Sequence, residues 1–266
     1  MHQPMEDLKR KLGREEVVVG TCVSLGDMMV SELLGYAGCD FLWIDMEHSA
    51  NDKQQILRHI VAARAGKAAA FIRIPWNDPI LVKPILDMGP DGIIFPFIRS
   101  AQEAEQAVLS SRYPPRGIRG FGPNRANGYG AAETPAYLAQ ADDLFRIIQI
   151  EHIDAVNSIE EICQVEGIDC LMFGSMDLSG SLGRLGETDT PEFIEAVDRV
   201  VAAAGKHNKM LGCCIGYSQE TIAFFLDRGI KVFTCGMDSY MLRSYTEQMV
   251  LDVRTYAKSL SLLKSE

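Results

Sequence analysis

Two carboxylates, Glu151 and Asp177, follow two short apolar runs, IIQIE and CLMFGSMD, each with the length and composition of a buried β-strand. The segment between the runs repeats apolar residues at a spacing near 3.6, which predicts an amphipathic helix. A strand–helix–strand unit of this size has parallel strands, so both carboxylates leave the sheet at its carboxyl-terminal edge. Because neighbouring strands lie about 4.8 Å apart and hard cations bind oxygen at about 2.1 Å, the two side chains could hold one divalent metal ion. The spacing alone fits two ordinary polar residues at strand ends equally well.

The alternation of strand and helix continues along the whole chain of 266 residues. Eight apolar runs, each followed by a helical pattern, are predicted strands: VVVGTCVS, FLWIDME, AAFIRI, GIIFPF, RIIQIE, CLMFGSMD, MLGCCI and VFTCGMD. Eight repeats, strands too apolar to alternate and this chain length favour a single α/β domain, a (β/α)8 TIM barrel. The alternative is a doubly wound open sheet. Against it, SLGDMM after the first strand lacks the glycine pattern of a dinucleotide site.

One connection, at about 113–143, is much longer than the others and separates the fourth helix from the fifth strand. It carries Arg116, Arg119 and Arg125 among five glycines between Gly117 and Gly130. Connections of this length in a compact domain are usually functional, so we expect a lid or a subunit contact over the barrel mouth. The chain closes with a long amphipathic segment at about 240–260.

Composition excludes several classes of partner. The chain has 26 basic and 36 acidic residues, a net charge of -10 and no block of Lys or Arg, which argues against nucleic acid. The amino-terminal stretch lacks the apolar core of a signal peptide, and no apolar run is long enough for a bilayer, so we expect a cytoplasmic protein without membrane partners. Seven cysteines, mostly inside apolar patterns and without metal-ligand spacing, predict reduced, buried thiols.

Polar side chains concentrate where the predicted strands end, at the face of a (β/α)8 barrel that builds the active site. The second to sixth runs deliver Asp45, Glu47, His48, Arg73, Trp76, Gln149, Glu151, Gly174, Ser175 and Asp177. We take Trp76 as a candidate substrate contact. Two simpler interpretations stay open: His48 as no more than a cap for the next helix, and Arg73 as no more than a structural ion pair with Asp45 or Glu47. No lysine falls at a strand end, which disfavours Schiff-base chemistry.

Five stretches, DMEHSAND, FIRIPWND, PPRGIRGFGPNRA, IIQIE and MFGSMDLSGSLG, occur in the order found in a known family. Together they resemble the metal-dependent class II pyruvate aldolases of the 4-hydroxy-2-oxoheptanedioate and 2-dehydro-3-deoxyglucarate aldolase type, from about residue 19 to 237. The resemblance implies a barrel of the phosphoenolpyruvate/pyruvate type that interconverts a 4-hydroxy-2-oxo acid with pyruvate and an aldehyde, using Mg²⁺, Mn²⁺ or Co²⁺. It also implies a homo-oligomer, a hexamer built as a trimer of dimers, whose C-terminal helix is exchanged between subunits.

The resemblance also implies roles for individual residues. Glu151 and Asp177 would ligate the cation, and Arg73 would contact the keto oxygen of pyruvate. His48 would transfer protons with Asp87 as its orienting partner. The remaining candidates are Asp45 beside His48, Gln149 beside the metal and substrate, and the amides around Gly174, Ser175 and Met176, which would hold the substrate carboxylate. The chain departs from the family at Ala50 and Ser175, where proline is common, and at His152, where a small polar residue is more usual.

These groups suit aldol chemistry. A 2-oxo acid chelates a cation through its carboxylate and keto oxygen, which would make the ion a Lewis acid for the enolate formed when the aldol bond breaks. Arg73 would offset the growing negative charge, and a histidine with a reference pKa near 6.5 can move a proton in both directions. Two alternatives remain: another lyase on the same scaffold (a 2-oxo acid decarboxylase or a CoA-ester lyase of the citrate lyase β-subunit type), or a non-catalytic 2-oxo acid binding protein.

Overall fold

Eight parallel strands close into a barrel in the computed structural model, which describes residues 3–263. The strands are β1 (Val18–Val23), β2 (Phe41–Asp45), β3 (Ala69–Arg73), β4 (Gly92–Phe95), β5 (Phe145–Ile150), β6 (Cys170–Gly174), β7 (Met210–Ile215) and β8 (Val232–Met237). Each strand pairs with the next in the chain, and β8 pairs with β1. The predicted (β/α)8 barrel is therefore confirmed.

One helix precedes the first strand, and the others lie after the strands along the chain. They are α1 (Gln3–Gly13), α2 (Met28–Tyr36), α3 (Lys53–Ala65), α4 (Pro79–Asp87), α5 (Ala101–Ser111), α6 (Thr134–Ala141), α7 (Ile153–Asn157), α8 (Ile159–Gln164), α9 (Ser175–Ser181), α10 (Pro191–Lys206), α11 (Gln219–Leu226) and α12 (Asp238–Leu263). The single helix predicted between Glu151 and Asp177 is two short helices, α7 and α8, which meet at Ser158. The α9 helix begins directly at the end of β6.

The core has two layers because successive side chains of a strand point to opposite faces. Inward side chains such as Trp43, Phe71 and Phe145 fill the barrel, and the rings of Phe71 and Phe145 stack with centroids 5.3 Å apart. Outward side chains such as Ile72 and Ile148 pack against the helices. Since both faces are buried, the strands carry apolar residues at nearly every position, which is the pattern that the sequence presents.

The long connection lies at the amino-terminal end of the barrel, opposite the mouth. It leads from α5 into β5, and a connection from a helix to the next strand must lie where the strands begin. The buried side chain of Arg119 forms an ion pair with the partly exposed Asp87 (Nη2–Oδ1 2.8 Å), and Arg125 donates to the carbonyl of Met88 (2.7 Å), both at the carboxyl end of α4. The prediction that this segment is a lid over the mouth of its own barrel is wrong. Its role as a subunit contact stays a prediction.

The C-terminal helix α12 leaves the barrel. Its 26 residues span about 39 Å, and nearly all its side chains up to Leu260 are exposed. Leu242, Tyr245, Met249, Val253 and Tyr256 are spaced three or four residues apart and so form one apolar stripe, in which each side chain is 49% to 76% exposed. None of the described helices is both long and apolar enough to span a membrane.

Candidate active site

Glu151 is a buried carboxylate at the carboxyl end of β5, where the barrel opens. Its Oε1 accepts a hydrogen bond from the backbone N–H of Phe97 (2.6 Å), and its Oε2 accepts one from Nε2 of Gln149 (2.7 Å). Burial, together with the charges of Glu47 and Asp177, raises the pKa of Glu151 to about 7 despite the hydrogen bond from Phe97. The ionised form of Glu151 would therefore gain from a nearby cation.

Asp177 lies in the first turn of α9, just beyond the end of β6. Because β5 and β6 are neighbours, with Ile150 level with Phe173, the fold brings Asp177 to the same edge as Glu151, as the sequence predicted. Asp177 is exposed and close enough to raise the pKa of both Glu151 and Glu47. A Cβ at Gly174 would lie 2.5 Å from Glu151 Oε2, so only glycine leaves room for that carboxylate.

The donor atoms at this edge fit a hard divalent cation. All are carboxylate oxygens, the ligands that Mg²⁺ and Mn²⁺ prefer, and each oxygen of Glu151 keeps a lone pair beyond its one hydrogen bond. Among residues 3–263, no group of three or more His, Cys, Asp or Glu side chains could surround an ion. The protein can thus offer the two predicted ligands, Glu151 and Asp177, and the other positions would fall to substrate and water.

Arg73 forms ion pairs with two carboxylates, Asp45 at the end of β2 and Glu47 just after it. Its Nε lies 2.7 Å from Oδ1 of Asp45, which is fully buried, and its Nη1 lies 3.0 Å from Oε2 of Glu47. Burial alone would lower the pKa of Arg73, but the hydrogen bond and charge of Asp45, with Glu47, raise it above its ordinary value. Nη1 also lies 3.5 Å from Oε1 of Gln149, which links Arg73 to Glu151. The structural ion pair that the sequence left open is therefore present, and in the described residues Nη2 has no partner.

His48 reaches the mouth, but Asp87 does not. The His48 side chain is 65% exposed, with Nε2 3.7 Å from Oε2 of Glu47, and Asp45 accepts a hydrogen bond from the His48 backbone N–H (3.2 Å). The cap of α3 is Asp52, so His48 has no capping role. Helix α4 begins at the mouth and carries Asp87 about 12 Å toward the other end of the barrel, where Arg119 binds it. Within one chain, the predicted contact between His48 and Asp87 is absent from the described residues.

The predicted substrate contacts lie on the same rim. Ser175 begins α9 with its Oγ buried and, among the described residues, without a hydrogen-bond partner. The first N–H groups of a helix lack intrahelical acceptors, so the amides of Ser175 and Met176 are available to an anion. Met176 and Trp76 are 57% and 51% exposed. Gly174, as the residue before α9, sets the close approach of this turn to Glu151.

Two residues at the mouth were missed from the sequence. Phe97 has a left-handed backbone (φ 55°) that directs its N–H toward Glu151, and no sequence rule predicts such a conformation for phenylalanine. Asp238 accepts hydrogen bonds from the backbone N–H groups of Ser24 and Leu25 (3.0 Å each), fastening the start of α12 to the loop after β1. Its position directly after the eighth strand, at the end of VFTCGMD, was a usable signal.

The seven cysteines agree with their predicted role as small apolar residues. All are free, and Cys22, Cys163, Cys170 and Cys213 are buried. Cys213 packs with the outer layer of the core and its neighbour Cys214 with the inner layer, so the two point to opposite faces of β7 as predicted. Burial raises the pKa of Cys214 to about 12, which keeps this thiol protonated beneath the site.

Known proteins share both this sequence and this fold. The sequence pattern of the HpcH/HpaI aldolase/citrate lyase family matches residues 23–244. The 5-keto-4-deoxy-D-glucarate aldolase of Klebsiella pneumoniae is 34% identical over 243 residues, which is 91% of this chain and 94% of that protein. The HpcH/HpaI aldolase of Desulfitobacterium hafniense superposes with a TM-score of 0.87 at 29% identity, covering 93% and 96% of the two chains. An HpcH/HpaI aldolase/citrate lyase family protein of Burkholderia cenocepacia gives a TM-score of 0.87 at 32% identity, covering 93% and 99%.

Proposed function

Because the chain belongs to the HpcH/HpaI aldolase/citrate lyase family, we propose that this aldolase-type lyase interconverts a 4-hydroxy-2-oxo acid with pyruvate and an aldehyde and requires a divalent metal ion. The observation that carries the proposal is the arrangement of Glu151 and Asp177 beside Arg73 at one edge of the mouth. Four carboxylates, those of Asp45, Glu47, Glu151 and Asp177, stand there against one guanidinium. This excess of negative charge favours a cation.

Glu151 and Asp177 would hold Mg²⁺, Mn²⁺ or Co²⁺, which when bound supplies a Lewis acid for the carboxylate and keto oxygen of a 2-oxo acid. Gln149 orients Glu151 by donating to its Oε2, and Phe97 does so at Oε1. The amides of Ser175 and Met176 would bind the substrate carboxylate. Residues at the carboxyl ends of two neighbouring strands, β5 and β6, would therefore position the carboxylate and the keto oxygen of the 2-oxo acid.

Arg73 would stabilise the negative charge that develops on the keto oxygen as the carbon–carbon bond breaks. Asp45 and Glu47 engage Nε and Nη1, which leaves Nη2 as the donor for substrate and holds the guanidinium plane in place. A donor fixed before the reaction needs no reorganisation as charge develops, which is why such groups lower barriers. The ion pairs of Arg73 with Asp45 and Glu47 could by themselves have been purely structural. In this proposal they hold the guanidinium in position for catalysis.

His48 would take the proton from the 4-hydroxyl group during cleavage and return it during synthesis. Its predicted partner, Asp87, lies at the far end of the same barrel, so an Asp87–His48 contact requires a second copy of the chain. The exposed apolar stripe of α12 supports such a homo-oligomer, since five large side chains in water on one helix face call for a partner surface. A hexamer with exchanged C-terminal helices stays the predicted assembly.

The Asp87 contact can be tested with hybrid oligomers. His48→Ala and Asp87→Ala chains are purified separately, each with little activity, then dissociated, mixed in equal amounts and reassembled. If Asp87 acts on His48 of another chain, a restored site needs His48 from an Asp87→Ala chain and Asp87 from a His48→Ala chain. With equal amounts mixed at random, about one quarter of the sites meet this condition. No recovery in verified hybrid oligomers would contradict the shared site.

The proposed reaction is tested by following exchange of the methyl protons of pyruvate with D2O, which reports enolate formation without any aldehyde. We expect exchange that stops with chelator and returns with Mn²⁺. Calorimetry with Mn²⁺ gives an independent readout: Asp177→Asn abolishes binding, whereas Arg73→Lys retains it and loses exchange. Metal-independent exchange or aldol cleavage would refute the proposal, and decarboxylation of oxaloacetate without any aldol activity would favour a decarboxylase.

A further inference from the structure

Three rings, Trp76, Phe97 and His152, form a wall beside Glu151, which we call the aromatic wall. They follow β3, β4 and β5, so three neighbouring strands each deliver one ring to the mouth. The ring centroids of Trp76 and Phe97 are 6.1 Å apart with 27° between planes, and those of Phe97 and His152 are 6.2 Å apart at 45°. Rings at these separations are in contact, so the wall offers one continuous π-surface.

Two members of the aromatic wall, Phe97 and His152, are held in place beside Glu151, and Trp76 stacks on Phe97. The left-handed backbone of Phe97 is unfavourable for a bulky residue and persists only where its surroundings hold it, here through the hydrogen bond to Glu151 Oε1. His152 is the amino-terminal cap of α7, and its Nδ1 accepts a hydrogen bond from the backbone N–H of Asp154 (3.1 Å). A surface held in this way can bind a flat ligand with little loss of side-chain entropy.

The charges around the wall disfavour an anionic aldehyde. Glu47 and Asp177 add negative charge beside Glu151. In the described loops that follow the strands, Arg99 and Arg184 are each paired with a glutamate four or three residues later in the chain. From the residues of its own barrel, an aldehyde with its own carboxylate would therefore meet this negative charge and two paired arginines, while Arg73 would serve the 2-oxo acid.

Resting on the proposed function, we propose that the acceptor is a neutral aromatic aldehyde whose ring stacks on the aromatic wall. In synthesis, the methyl group of pyruvate gives a proton to solvent water, which in turn reprotonates His48 at the end of the cycle, and the methyl carbon forms the new bond to the aldehyde carbon. The aldehyde C=O bond opens, and its oxygen takes a proton from His48, giving a 4-aryl-4-hydroxy-2-oxobutanoate. Protons and electrons balance without an oxidant or reductant. This substrate class differs from the dicarboxylic sugar acid for which the Klebsiella relative is named.

The experiment compares kcat/KM for three aldehydes with pyruvate and Mn²⁺: benzaldehyde, cyclohexanecarboxaldehyde of similar size, and succinic semialdehyde, which carries a carboxylate. We expect benzaldehyde to be preferred about tenfold over each of the others. Trp76→Ala and His152→Ser should lower kcat/KM for benzaldehyde by about threefold to tenfold and bring it to the level of the cyclohexane compound. Tyr217→Ala is the matched control, because Tyr217 is an exposed aromatic residue after β7 outside the wall.

Exchange of pyruvate protons in D2O, measured without aldehyde, separates this inference from the proposed function. No exchange would overturn the proposed function and the acceptor assignment with it. Normal exchange with a preference for succinic semialdehyde, or with equal kcat/KM for all three aldehydes, would overturn the acceptor assignment alone. So would Trp76→Ala and His152→Ser variants that slow all three aldehydes equally.

Discussion

Replacing Arg73 separates its structural role from the catalytic role that we propose for it. Arg73 contacts Asp45, which has no exposed surface, and Glu47, so Arg73→Ala leaves a buried carboxylate without its cation. Removing one partner of a buried ion pair typically costs about 3–5 kcal/mol of unfolding free energy. Arg73→Lys keeps the charge but cannot contact Asp45, Glu47 and substrate at once, because an ammonium lacks the planar fork. We therefore expect Arg73→Lys to be well folded with a strongly reduced kcat, and Arg73→Ala to be strongly destabilised.

The expected loss of turnover follows from the number of donors removed. Losing one oriented donor to a developing oxyanion typically lowers kcat about 10²- to 10³-fold. Pyruvate release from a 4-hydroxy-2-oxo acid measures this loss, urea unfolding measures stability, and calorimetry measures Mn²⁺ affinity. Arg99→Lys is the control, since Arg99 is half-exposed in a loop at the same mouth and its ion pair with Glu103 contributes little. We expect wild-type turnover and stability from that variant.

Two results would refute this division of roles. If Arg73→Lys retained wild-type kcat, the oriented guanidinium would have no part in the barrier. If Arg73→Lys lost Mn²⁺ affinity to the same extent as Asp177→Asn, Arg73 would act by supporting the ligands instead of stabilising charge. A stable Arg73→Ala variant would mean that Asp45 is held well enough by the backbone N–H groups of Glu47 and His48 alone.

Three further predictions concern the surrounding structure. Burial lowers the pKa of His59 below its ordinary value, so the folded chain binds a proton less readily than the unfolded chain. The free energy of unfolding, measured in urea, should therefore fall as the pH drops below about 6.5. The fall should be smaller in His59→Gln. Gly174→Ala should weaken Mn²⁺ binding by displacing Glu151, whereas Gly205→Ala, where a Cβ meets nothing within 4 Å, should not. Deleting α12 from Tyr240 onward should yield smaller assemblies in light scattering, and an unchanged mass would contradict its role in association.

The barrel and the shared edge of Glu151 and Asp177 were predictable because both depend on local pattern and simple topology. Strands covered on both faces carry unbroken apolar runs, and eight such runs separated by helical patterns leave few other folds. Because β5 and β6 are parallel neighbours, the residues just beyond their carboxyl ends lie at one edge, which is why Glu151 and Asp177 could be paired from sequence spacing. Asp45 and Arg73 are level with each other in the register of β2 and β3, so their contact follows from the same rule.

The conformation of Phe97 could not be predicted, because it depends on tertiary contacts. A left-handed phenylalanine is locally unfavourable and is held by the carboxylate of Glu151, which lies 54 residues later in the chain. The position of the segment at 113–143 was predictable in principle, since a helix-to-strand connection belongs at the amino-terminal end. Its length, glycines and arginines suggested a lid or a subunit contact over the mouth instead, although Arg119 is buried against Asp87 and Arg116 pairs with Asp142.

The division of the barrel into two ends bears directly on how this site works. The mouth holds the groups that we propose bind a 2-oxo acid, whereas Asp87 lies with Arg119 at the opposite end, about one helix length away. No rearrangement of α4 within one barrel could bring Asp87 to His48 without unfolding that helix. Helix α12 leaves its own barrel and exposes an apolar stripe, on which a second copy of the chain could pack. If His48 needs a carboxylate partner from Asp87, association is then a condition for proton transfer, and activity should fall with dissociation even where binding of Mn²⁺ and pyruvate persists.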